Sequence, residues 1–150
     1  MEATSPARAG DLGLSSLLVI RHARAGERSE WEGDDRLRPL DAKGRRQAEA
    51  LVDALAGFPL TRILSSPYDR CAQTVGPLAA ARNLVVESSD ELGEEHQHRE
   101  GTMLARSLVG QAVALCVHGG LSDAAFGERQ KKAETLVVDE AGRVVDRIRV

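Results

Sequence analysis

The amino-acid sequence predicts an α/β fold, a three-layer α/β/α sandwich built on a mostly parallel sheet and finished by a C-terminal antiparallel edge hairpin. Three observations carry this. Short apolar runs alternate along the chain with segments of helical periodicity, as in parallel strands joined by helical crossovers. Several of these runs stop at a polar or charged pair, as strands buried on both faces do where they leave a sheet. The last segment holds two valine-rich runs separated by Asp139-Glu140-Ala141-Gly142, the length and glycine of a hairpin loop.

The elements follow in order. Residues 1–16 mix Ala, Ser, Pro and Gly without periodicity and read as a flexible arm or linker, leaving 17–150 as one domain. Leu17-Leu18-Val19-Ile20 is a buried strand that ends at Arg21-His22. After a loop over 23–40, Asp41 caps a helix whose Ala48, Leu51, Val52 and Leu55 share one face. Arg62-Ile63-Leu64-Ser65 is a second strand, and Ser66-Pro67 starts a helix with Ser as cap and Pro in its first position. Gly76-Pro77 should kink or interrupt that helix. Leu84-Val85-Val86 reads as a third strand, 103–109 as a short helix, and 112–117 as a fourth strand ending at His118-Gly119. Strands over 135–138 and 143–150 close the chain as two antiparallel edge strands.

Composition excludes several classes. With 42% hydrophobic and only 3% aromatic residues, the core must be built from Leu, Val, Ile and Ala. A formal charge of −3 gives no basic footprint for nucleic acid, so an anionic ligand needs a local arginine cluster. Cys71 and Cys116 lack metal-knuckle or disulfide spacing and read as buried thiols of a reducing compartment. The apolar run at 17–20 is far too short to cross a membrane, and a soluble cytoplasmic protein is expected.

In open α/β sheets ligands bind beyond the carboxyl ends of the strands. Three polar groups here follow three strands, namely Arg21-His22, the segment from Ser65 to Arg70, and His118-Gly119. Their convergence would surround an imidazole with arginines, and a neutral imidazole among cations can attack phosphorus because the cations offset the charge on the phosphoryl oxygens. Glu94, Glu95, His96 and His98 contain a His-x-His without a distant third ligand type, so neither metal nor other cofactor is expected.

These residues resemble a known family. Leu18-Val19-Ile20-Arg21-His22-Ala23 is similar to the opening motif of the histidine phosphatase superfamily, and four further matches follow in order. They are Leu40 to Ala48 with Gly44 and Gln47, Ser65 to Thr74 with Arg70 and Gln73, Leu92-Gly93-Glu94-Glu95, and Val117-His118-Gly119. The resemblance implies that His22 accepts the phosphoryl group, that Arg21, Arg70 and His118 bind its oxygens, and that Glu94 protonates the leaving group before activating water. Glu95 is the substitute donor in the same acidic run, and Arg24 a further candidate for phosphate contact. Arg36, Arg38, Lys131 and Lys132 are solvated candidates for contacts to the rest of the substrate.

Ala23 stands where the mutase branch has Gly, and the stretch 95–112 is too short for a large helical cap domain. The chain therefore looks like the small phosphohistidine phosphatase type. It also resembles, and more closely, the C-terminal phosphatase domain of some two-domain Nudix hydrolases, through Gly33-Asp34-Asp35, Arg38-Pro39-Leu40 and Arg70-Cys71. The expected function is metal-independent hydrolysis of a phosphomonoester or phosphoramidate, with a phosphorylated small molecule, a nucleotide or a phosphohistidine protein as substrate. The alternatives are a phosphate-binding regulatory module and a partner of a Nudix hydrolase. Neither nucleic acid nor membrane is an expected partner.

Overall fold

A computed structural model describes residues 15–150, so the arm expected over 1–16 lies, apart from Ser15 and Ser16, outside the described residues. Among the described residues six strands form one sheet: β1 (Leu17–Arg21), β2 (Arg62–Ser65), β3 (Val86–Ser88), β4 (Val113–Val117), β5 (Thr135–Val138) and β6 (Val144–Ile148). Their order is β3-β2-β4-β1-β5-β6. The first four pair in parallel, β5 runs antiparallel to β1, and β6 antiparallel to β5.

Strand alternation sorts the core into two layers. Leu18, Ile20, Ile63, Ala114 and Cys116 face one side, where α1 (Ala42–Ala54) brings Leu51 and α2 (Asp69–Arg82) brings Cys71, Val75 and Leu78. Leu17, Val19, Leu64, Leu115 and Val117 face the other, against Ala105 of α3 (Glu100–Ser107) and Leu121 and Ala125 of α4 (Leu121–Phe126). This is the three-layer sandwich, without a large cap among the described residues. Among the described residues no helix is long and apolar enough to cross a membrane.

Register places the site. Arg21 pairs with Val117 and Ser65 with Cys116, so the next residues, His22, His118 and Ser66, leave three adjacent parallel strands together at their carboxyl ends. The ladder continues one step further, with His22 N–H donating to Val117 O (3.0 Å) and Ser66 N–H to Cys116 O (3.0 Å).

Several elements differ from the sequence expectation. Helix α2 starts at Asp69, because the Ser66 hydroxyl accepts the Tyr68 N–H (3.2 Å) in a tight turn that uses up two residues first. Gly76 and Pro77 do not interrupt α2, whose Val75, Leu78 and Ala79 stay packed on the sheet. Asn83 ends the helix in the left-handed region (φ 55°), and Leu84 N–H donates to Ala79 O (3.0 Å). That exit delays β3 by two residues and leaves Val85 exposed. Helix α3 begins three residues before the expected 103, and α4 was not anticipated. Strand β5 lies inside the sheet between β1 and β6, so of the two C-terminal strands β6 alone is an edge strand, opposite β3 at the other edge.

Candidate active site

His22 sits just past β1 with 6% of its surface exposed. Its Nδ1 lies 2.8 Å from Ala23 O. A carbonyl can only accept, so Nδ1 carries the proton and Nε2 keeps its lone pair. Burial lowers the pKa of His22 to about 3, and His118, Arg70 and Arg21 lower it too, against the Ala23 hydrogen bond. At neutral pH the ring is uncharged, the state a nucleophile needs.

His118 follows β4 with its ring centroid 5.6 Å from that of His22. Its Nε2 lies 2.9 Å from Ser66 Oγ. Arg70, fully buried in the first turn of α2, passes 4.9 Å over the Tyr68 ring and donates to Asp35 O (2.8 Å) and Asp35 Oδ2 (3.0 Å). Arg21 donates from Nη1 to Gln130 O (2.7 Å) and lies flat on Gly119, where a Cβ would come within 2.9 Å of its Cζ. The structure thus brings together His22, Arg21, Arg70 and His118. Among the described residues, Arg21 Nε, Arg70 Nε and His118 Nδ1 are buried without a hydrogen-bond partner.

Glu94 reaches this cluster. It accepts from Arg28 Nη2 (2.9 and 3.0 Å) and stands 3.4 Å from Arg70 Nη2. Glu95 instead accepts the Tyr68 hydroxyl (2.9 Å). Burial and that bond push the tyrosine pKa up to about 12. Arg24 turns to Asp41 (2.9 Å), half exposed. Arg36 pairs with Asp34, whereas Arg38, expected to be solvated, is buried and bonds Asp35 (2.9 Å) and Ala25 O (2.7 Å). Lys131 and Lys132 are exposed. Both cysteines are buried and free, with Cys71 Sγ 3.6 Å from His118 Nε2. Among the described residues no three His, Cys, Asp or Glu side chains are grouped to hold a metal ion, and the His-x-His at 96 and 98 is no exception.

Sequence reading missed the residues that hold the cluster in place. Thr74 Oγ1 accepts the Ala23 N–H (2.8 Å) and donates to Arg70 O (2.7 Å), tying the His22 loop to α2. Ala133, in the left-handed region at φ 64°, donates its N–H to the carbonyls of Arg21 (3.0 Å) and His22 (3.1 Å). That conformation costs an alanine about 1 kcal/mol and persists where its surroundings fix it. Asp35, which joins Arg28, Arg38 and Arg70, did carry a signal, in the Gly33-Asp34-Asp35 motif.

The family pattern described as the histidine phosphatase superfamily (branch 1) matches residues 17–106. An 80-residue stretch is 46% identical to the 8-oxo-(d)GTP phosphatase of Mycolicibacterium smegmatis, covering 53% of this chain and 25% of that protein. A 62-residue stretch is 39% identical to an uncharacterized protein of Mycobacterium tuberculosis, covering 41% of this chain and 31% of that one. The chain thus spans about a quarter to a third of the length of these curated relatives. Among solved structures, the protein histidine phosphatase SixA complexed with tungstate superposes with a TM-score of 0.71 at 22% identity, over 89% of this chain and 96% of that one. A mycobacterial glucosyl-3-phosphoglycerate phosphatase superposes with a TM-score of 0.66 at 18% identity, over 82% and 89%. At these identities the likeness speaks for the fold.

Proposed function

The chain belongs to the histidine phosphatase superfamily, and from that premise we propose that it hydrolyses phosphomonoesters or phosphoramidates in two steps through a phosphohistidine at His22, without a metal. His22 Nε2 attacks phosphorus and forms a P–N bond as the bond to the leaving group breaks. Glu94 gives that group its proton. A water molecule, deprotonated by Glu94, then attacks phosphorus, and the P–N bond breaks to free His22 and phosphate. Arg21, Arg70 and His118 hold the phosphoryl oxygens through both steps, where fixed donors lower the barrier most. The observation that carries this reading is the neutral His22 ring, its Nδ1 fixed on Ala23 O, close enough to Arg21, Arg70 and His118 for each to lower its pKa, while each of those three holds a buried nitrogen without a hydrogen-bond partner among the described residues.

The relatives' names put nucleotides and phosphohistidine among the substrates to test. The deciding experiment is incubation with para-nitrophenyl phosphate followed by an acid quench and an alkaline quench. Turnover with an acid-labile, base-stable phosphoryl adduct that vanishes in His22→Ala supports the reading. Neither product nor adduct, with inorganic phosphate still raising the melting temperature, makes the chain a phosphate-binding module instead.

A further inference from the structure

We infer that the cavity beside Tyr68 receives the leaving group and selects leaving groups that carry a positive charge or N–H donors over anionic ones, an inference that rests on the phosphatase reading of His22. The cavity, about 430 Å³, adjoins the phosphoryl cluster through the Tyr68 ring. That ring meets His118 edge-on at 4.6 Å and carries the Arg70 guanidinium at 4.9 Å. Arg70 and His118 each hold a buried nitrogen without a hydrogen-bond partner among the described residues. Glu95, on the cavity wall, directly follows the Glu94 proposed as acid.

The size suits a small organic group. Leu37, Pro67 and Tyr68 give one wall apolar surface for a ring or an alkyl chain. The polar lining is unequal in charge. Arg36 is spent on Asp34, which binds its Nε and Nη2 at 3.2 and 2.8 Å. Asp90 forms no ion pair among the described residues, and Glu95 has the Tyr68 hydroxyl at 2.9 Å and His96 at 3.9 Å. Three carboxylates thus share the lining with one guanidinium and the His96 imidazole, beside a phosphoryl cluster that holds two arginines. A substrate bound across the two sites meets cations at its phosphoryl end and carboxylates at its leaving group. An extra phosphate or carboxylate on the leaving group would face Asp90 and Glu95, and at exposed carboxylates the two repulsions together are worth about tenfold in kcat/KM.

The test uses two aryl phosphates with the same P–O(phenol) bond, tyramine phosphate with a remote ammonium and the phosphate ester of 3-(4-hydroxyphenyl)propionate with a remote carboxylate. The full chain should show a kcat/KM ratio favouring tyramine phosphate about tenfold or more at low ionic strength. The ratio should fall toward one in Asp90→Asn combined with Glu95→Gln, and fall in the unaltered protein as salt screens the lining. Taking the ratio cancels any general loss of rate in the variant, and Asp90→Asn alone, at an exposed site, should lower it part of the way if the pair fails to fold. A ratio at or below one, or one that survives both the substitutions and about 0.5 M salt, overturns the selectivity while leaving the phosphatase reading intact. Absence of turnover with both esters and with para-nitrophenyl phosphate removes that reading and this inference together.

Discussion

His22 makes the protein sensitive to acid in a way that its carboxylates do not. Its pKa in the fold is about 3, against 6.5 in an unfolded chain. Between those values the unfolded chain binds a proton that the folded one rejects, so stability is fully present above pH 6.5 and falls as pH drops through the window. At pH 4.5 this term amounts to roughly 2–3 kcal/mol. His22→Gln keeps an amide able to reach Ala23 O and removes the titration, so its loss of stability between pH 7 and 4.5, measured by urea unfolding, should be smaller by about that amount. Equal losses in both proteins would contradict the buried neutral ring. For the same reason His22 protonation should not set the acidic limb of kcat/KM above pH 4. Arg21, His22 and His118 were legible because each follows an apolar strand, and Arg70 because it follows the Ser-Pro turn. Gln130 and Ala133 were not, since their contacts to the cluster arise only when a loop without periodicity folds back on β1; Tyr68 was not, since its place beside His118 depends on the pairing of β2 with β4.

The start of α1 is built into the loop that carries His22. Asp41 caps the helix through Gly44 N–H (2.8 Å) and holds Gly26 N–H (3.2 Å), and its own N–H donates to Arg24 O (3.0 Å). Gly44 is what lets these backbones meet, because a Cβ there would lie 1.9 Å from Arg24 O. Gly→Ala inside a helix normally stabilises by up to about 1 kcal/mol. Here the clash is with backbone, which cannot rotate away, so Gly44→Ala should destabilise by about 2–3 kcal/mol and lower activity as the loop shifts. A stabilised, fully active variant would show that the helix can slide off the loop at no cost. Elements were legible in proportion to their burial. β1, β2 and β4 came within one residue from apolar runs alone, as expected for strands covered on both faces. β3 slipped because an edge strand reading Val-Glu-Ser has no such signature, and α4 escaped because six residues with a buried Ser122 show no helical period.

At the scale of the molecule, the C-terminal hairpin and the loop before it brace β1. Glu134, 1% exposed, accepts Lys131 N–H (2.8 Å), Arg147 Nη1 (3.2 Å) and Arg149 Nε (2.7 Å), the two arginines reaching in from β6 and the residue after it. Burial alone would raise its pKa, but the Lys131 N–H and the arginines more than offset this and hold the carboxyl below its usual range. Its backbone is part of the same brace, since Glu134 O accepts Arg21 N–H (3.1 Å) and the Gln130 side chain (2.7 Å). Gln130 O in turn fixes the Arg21 guanidinium, and Ala133 N–H holds the carbonyls of Arg21 and His22. Removing both arginines leaves a buried carboxylate with a backbone donor and no cation. A fully buried broken pair costs about 3–5 kcal/mol. Because Arg147 and Arg149 are themselves 31% and 61% exposed, about 2 kcal/mol is the better figure for Arg147→Ala with Arg149→Ala. Stability of the unaltered protein contributed by this pairing is present above the unfolded carboxyl pKa and lost as pH falls through the lowered folded value, so the double variant should differ most at neutral pH and least in acid. Adding Glu134→Gln to the double variant removes the stranded charge and should restore part of the loss. Should the double variant lose no stability at pH 7 and the triple variant prove no more stable than the double, the brace would owe its strength to backbone contacts alone.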